Sequence, residues 1–161
     1  MRNGTGPTPP PSESPESPDV AQTPLIVVDA ANVLGSVPDG WWRDRRAAVL
    51  RLRDALDGLG AEGLSGATPA WARRPPLEVV LVVEGRARGI ESSATVRVVS
   101  APAVGDDGIV EVVRREGARR RCLVVTADRG LRARVEELGA LVSGPGVLLD
   151  RRRAASREQS G

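Results

Sequence analysis

The chain has 161 residues, 40% of them apolar and only 2% aromatic, with a net charge of +2 and a pI of about 9.8. That is room for one domain of ordinary size, with a core of Val, Leu, Ile and Ala and only a mild general pull on polyanions. With no His and a single Cys, Cys122, the chain excludes Ser–His–Asp and Cys–His catalysis, His-ligated metals, an intrachain disulfide and a Cys zinc site.

Residues 1–23 are rich in Pro, Ser and Gly, have almost nothing to bury, and read as a disordered tail. They lack the basic-then-apolar order of a signal peptide. No apolar run in the chain approaches the roughly 20 residues that cross a bilayer, so the expectation is a cytoplasmic protein with no membrane partner.

From Pro24 onward, strand and helix signals alternate. Residues 25–29 form a short continuous apolar run, as in a strand covered on both faces. A turn-rich stretch with Pro38-Asp39-Gly40 follows. Asp44 can cap a helix over 44–59, where Val49, Leu52, Leu56 and Leu59 make one apolar stripe. The Gly- and Pro-rich stretch 60–76 reads as a long loop. Strands follow at 77–83, 95–99, 122–126 and 140–142, with helices at 106–115 and 129–138 and a last helical turn at 147–152. The stretch between the second and third strands is too short for a long helix. Alternation of this kind implies an α/β fold: a three-layer sandwich around a parallel sheet of about five strands, in the order 3-2-1-4-5. The folded domain is expected over 24–153, with a second disordered tail over 154–161.

Acidic residues mark three exits of this sheet. Asp29 ends the first strand, Asp128 follows the fourth, and Asp106-Asp107 open the helix after the third. In the order 3-2-1-4-5, strands one and four are neighbours, so Asp29 and Asp128 stand side by side where strand order reverses, the usual ligand crevice of open α/β sheets. Converging carboxylates repel one another unless a cation lies between them, and oxygen ligands suit Mg²⁺ or Mn²⁺. Each acid also has a plainer role, since Asp caps helices and complements their dipole. Asn32 can bind a water or phosphate, or simply serve a tight turn. Thr126 points to the same face as Asp128, either to donate to a carboxylate or to fill a β-rich position.

Three motifs in this order, Val27-Val28-Asp29-Ala30-Ala31-Asn32-Val33, Gly105-Asp106-Asp107 and Val125-Thr126-Ala127-Asp128, resemble the signature of PIN-like ribonuclease domains, nearest to the NYN group with the bacterial YacP-like proteins. The resemblance spans about residues 24–150. It implies a parallel α/β sandwich and a metal-dependent nuclease acting chiefly on RNA. By motif match, the metal-binding roles fall to Asp29, Asp106, Asp107 and Asp128, the catalytic set being Asp29, Asp107 and Asp128, with Asn32 and Thr126 in support. Where many members carry a further Asp after the second strand, this chain has Glu84, one carbon longer, which implies a supporting position. The implied chemistry is in-line hydrolysis of a phosphodiester with Mg²⁺ or Mn²⁺. The alternative is a PIN-like module that binds RNA or protein without cutting. A dinucleotide-binding domain fits poorly, because Ala30-Ala31-Asn32 replaces the glycine-rich turn.

RNA contacts are expected from Arg43, Arg45 and Arg46 beside Trp41 and Trp42, from Arg86 and Arg88 after the second strand, and from Arg129. An exposed Trp can stack on an unpaired base, and single-stranded regions are the expected target. One of the Trp pair is expected to pack as a lid. The runs Arg119–Arg121 and Arg151–Arg153 read as solvated surface. A homodimer or a regulatory protein partner remains open.

Overall fold

The computed structural model describes residues 23–38, 40–84, 89–101 and 105–160. Residues 1–22 of the expected tail over 1–23, and the expected contacts Arg86 and Arg88, lie outside the described residues.

The central strand is β1 (Leu25–Asp29), whose four apolar side chains are fully buried. On one side it pairs with β2 (Glu78–Val83), which in turn pairs with β3 (Val96–Ser100). On the other side it pairs with β4 (Cys122–Val125), followed by β5 (Leu141–Ser143). All four pairings are parallel, and the order is β3-β2-β1-β4-β5. This is the α/β architecture expected from the alternating pattern.

Period-two alternation sends the two faces of the sheet into separate cores. Ile26, Val28, Leu81, Leu123 and Val125 pack under the helices α1 (Ala30–Gly35) and α2 (Arg45–Ala55). Leu25, Val27, Val80, Val82 and Val124 pack under α4 (Gly105–Glu116) and α5 (Arg129–Glu137). Cys122 belongs to this second core, and burial pushes its thiol up to about 11, so it is an inert packing residue.

Four local expectations are corrected. Asn32 lies in helix α1, not in a tight turn, because Asp29 caps that helix and Ala30-Ala31 favours it. Asp44 does cap α2, accepting from the Ala47 amide at 3.0 Å, but the helix ends at Ala55. Gly58, at φ +86°, turns the chain into a separate one-turn helix α3 (Leu59–Glu62) inside the stretch read as loop. The apolar stripe survives the break: Val49, Leu52, Leu56 and Leu59 are all buried in the first core.

The last correction concerns the C-terminus. A 3-10 turn at Pro145–Leu148 leads into α6 (Leu149–Ser160), so most of the segment 154–161 read as a tail is helical. Ala154 and Ala155 favour helix, and no Gly or Pro interrupts before Gly161. The helix is fastened by polar contacts. Arg151 donates to the carbonyls of Ala55 at 3.1 Å and Asp57 at 2.9 Å, and Arg152 donates to that of Val33 at 3.0 Å. Those arginines are thus structural, as is Arg120, and not the solvated surface the charge runs suggest. Among the described residues, no helix is long and apolar enough to cross a membrane.

Candidate active site

The acids gather at the carboxyl end of the sheet. Asp29 is 5% exposed and caps α1, its Oδ1 accepting from the Asn32 amide at 3.3 Å. Alternation puts its side chain on the α4–α5 face with Leu25 and Val27. Thr126, one step past the Val28–Val125 pair, falls on the same face. Its hydroxyl donates to Asp29 Oδ2 at 2.9 Å and accepts from the Asp128 amide at 3.1 Å. One buried hydroxyl therefore fixes the Asp29 rotamer and anchors the backbone of Asp128. Of the two readings of Thr126, the geometry shows donation to a carboxylate.

Asp128 caps α5, its Oδ1 accepting from the Leu131 amide at 2.9 Å. Asn32 accepts from the Ala127 amide at 2.7 Å, joining α1 to the β4–α5 turn. The capping role and the site position are not alternatives for these residues. Capping is what sets each carboxylate at the rim.

Helix α4 supplies the next acid. A Cβ on Gly108 would stand 2.9 Å from Ala101 Cβ and 3.4 Å from Val82 Cγ1, so only a glycine lets α4 lie this close to the strand ends. Successive residues on a helix point about 100° apart, and only one of the Asp pair can face inward. Asp106 is the one, half-buried and within the fields of Asp29, Glu84 and Asp128. Asp107 is exposed and pairs with Arg134 of α5 at 3.1 Å. Of the two residues given metal-binding roles by motif match, Asp106 is thus the one turned toward Asp29 and Asp128. Gly108 and Arg134 were not singled out from sequence, because their roles depend on how α4 meets β3 and α5.

The electrostatics follow. Burial raises the Asp29 carboxyl above its ordinary range, and the charges of Asp106 and Glu84 add to this, against hydrogen bonds from Thr126 and the Asn32 amide. Burial also raises Asp106, helped by Asp128, Glu84 and Asp107, with Arg134 opposing. Four carboxylates thus share one field. Among the described residues, no three of them close on a single point that could grip an ion directly. The donor set is all oxygen and suits a hard cation that keeps several of its waters, as Mg²⁺ does when one or two carboxylates bind it. Asp29 and Asp128, with fixed rotamers, could hold such an ion.

No protein-family model matches the sequence, and no curated protein matches it. Solved structures do. The crystal structure of Rae1 (YacP) from Bacillus subtilis aligns with a TM-score of 0.55 at 15% identity, covering 84% of this chain and 77% of that one. A crystal structure of a point mutant of the same protein gives 0.55 at 16% identity, covering 83% and 77%. The chain has a YacP-like fold. The likeness carried by the three motifs therefore holds at the level of architecture, including the strand order that brings Asp29 beside Asp128.

On this YacP-like fold the expected RNA contacts divide. Trp41 is partly buried against the first core, while Trp42 is 52% exposed, its ring edge-on to Trp41 at 6.4 Å. One Trp packs and the other faces solvent. Arg45 lies over Trp41 at 5.5 Å and Arg43 over Trp42 at 6.0 Å. Arg43, Arg45, Arg46 and Arg129 are all exposed.

Proposed function

We propose that the protein is a divalent-metal-dependent ribonuclease that hydrolyses phosphodiester bonds within single-stranded RNA. The observation that carries this reading is the buried Asp29 carboxylate, locked by Thr126 and raised by its burial, with the charges of Asp106 and Glu84 adding to this. Evolutionarily idle acids do not need a buried, oriented, mutually repelling arrangement, and such perturbed groups concentrate at functional sites. When bound, Mg²⁺ or Mn²⁺ would supply an activated nucleophile and a counter-charge for the phosphate. Asp29 and Asp128 fix where that charge sits. Asp106 and Glu84 orient the surrounding water. Arg43, Arg45 and Arg129 lie on the segments flanking these acids and can hold the RNA phosphates, and Trp42 offers a face for a base.

A second reading, a module that binds RNA or a protein without cutting, has one observation behind it: among the described residues, no three acids surround a single point. One experiment separates the two. Labelled single-stranded RNA is incubated with Mn²⁺, with and without chelator, using wild type, Asp29→Asn and Asp128→Asn. The first reading predicts chelator-sensitive cleavage that falls more than about 100-fold in each variant, beyond the range typical of outer-sphere partners. Equal RNA retention by all three proteins with no cleavage would support the second.

A further inference from the structure

The acidic rim opens on one side into a cleft of about 250 Å³ that the hydrolytic chemistry does not use. Its floor is Ala30, Ala31 and Leu34 of α1. Its wall is Trp41 with Arg45 laid over the indole, and Glu84 stands between the cleft and the acid cluster. The Asp29 side chain itself points to the other face of the sheet, but Glu84 lines the cleft and acts on both Asp29 and Asp106, so the cleft adjoins the acid cluster.

This lining has a distinct chemistry. A small apolar floor, an indole and a guanidinium plane together match a flat heteroaromatic ring with polar edges, since unpaired bases stack on aromatic side chains and on Arg planes alike. An aliphatic ligand would leave Arg45 without a matching surface, and a bare phosphate would meet an apolar floor and a nearby carboxylate. We infer that the cleft between α1 and Trp41 holds the unpaired base of the nucleotide adjacent to the bond being cut, and so makes the protein select single strands. The inference rests on the RNA reading above and deepens it: base capture, not charge alone, positions the strand.

The test reads binding separately from cutting. Short single-stranded RNAs, intact or with one abasic position moved along the strand, are titrated in chelator against wild type, Trp41→Leu, Arg45→Ala and Ala31→Leu. The last variant fills the cleft while keeping a good helix former. The expected result is one abasic position that weakens binding about 5- to 100-fold. Ala31→Leu should impose a similar loss on intact RNA and remove the sensitivity to that position. Trp41 also packs against the core, so circular dichroism accompanies that variant, and Ala31→Leu and Arg45→Ala carry the proposal if it unfolds. Binding indifferent to every abasic position, or unchanged in Ala31→Leu, overturns it. A nucleoside monophosphate offers the same ring; if it binds as tightly as the oligonucleotide, the cleft is a small-nucleotide site and its assignment to RNA is wrong. Cleavage in Mn²⁺ is followed in parallel. Base-dependent binding without cutting sustains the cleft and sinks the hydrolytic reading, whereas cutting indifferent to the cleft variants does the reverse.

Discussion

The two ends of the sheet both concentrate charge, and they handle it in opposite ways. At the amino end, Glu78 at the start of β2 and Glu116 at the end of α4 meet Arg97 and Arg120. Arg97 reaches both acids at 3.0 Å. Arg120, with 7% of its side chain exposed, bonds Glu78 at 2.8 Å, pairs with Glu116, and donates to the Thr23 carbonyl at 3.1 Å. Two acids and two bases cancel. At the carboxyl end, Asp29, Glu84, Asp106 and Asp128 share a field that Arg134 offsets only in part. Similar side chains in one small domain thus build a structural clamp at one end and, among the described residues, a group of mutually repelling acids at the other. Stability alone would favour the first arrangement at both ends.

The titrations carry the same contrast. Burial by itself would raise Glu116, but bonds from Arg120 and Arg97 outweigh it and hold the carboxyl below its ordinary range. Its contribution to stability is present above the unfolded carboxyl pKa and is lost as pH falls through the folded one. Asp29 and Asp106 are raised, so each binds its proton more tightly folded than unfolded. Their effect has the opposite sign: without a cation, the fold loses stability as pH rises from the ordinary carboxyl range through the raised value.

The comparison can be broken at either end. The largest effect is expected at the clamp. Arg120→Met removes the buried one of the two arginines that Glu78 and Glu116 share, leaving Arg97, and should destabilise the protein by about 1.5–3 kcal/mol, read by urea unfolding, with per-molecule RNA cleavage by the remaining folded fraction unchanged. Next, Thr126→Val keeps shape but removes the hydroxyl that holds Asp29 and Asp128 together; cleavage should fall about 10- to 100-fold while the far-ultraviolet spectrum stays the same. The smallest effect is expected at Asp107. Its pair with Arg134 is exposed, such pairs contribute about 0–1 kcal/mol, and Asp107→Asn should leave both stability and cleavage within about fivefold of wild type. Asp106→Asn should not be so mild, and a reversal of the two would refute the inward assignment of Asp106.

How much of this was legible in the sequence depends on the range of the interactions. β1 could be read directly, because a strand buried on both faces needs a continuous apolar run. The strand order put Asp29 beside the exit of β4, but the pairing of Asp29 with Thr126 depends on the Val28–Val125 register, which parity alone does not supply. The choice between Asp106 and Asp107 could not be read, since a 100° rotation of α4 is set by Gly108 against Ala101. Helix α1 is six residues long, too short for a periodic stripe to declare itself. Helix α6 has no such stripe and is held by Arg151 and Arg152 on carbonyls some 90 to 120 residues earlier in the chain. The Asn32–Ala127 bond joins residues 95 apart. Short-range signals marked most of the elements, while the facing of α4 and the fastening of α6 were decided by tertiary packing.

Thermal melting with and without Mn²⁺ tests the central claim most directly, because it needs no substrate. In wild type at neutral pH, Mn²⁺ at about 100-fold over its dissociation constant should raise the melting temperature by about 5–10 °C. Asp29→Asn should melt higher than wild type in chelator, since it removes a raised, repelled charge, and should gain little from Mn²⁺. A wild-type melting temperature indifferent to the ion, or an Asn variant that gains as much as wild type, would contradict the account.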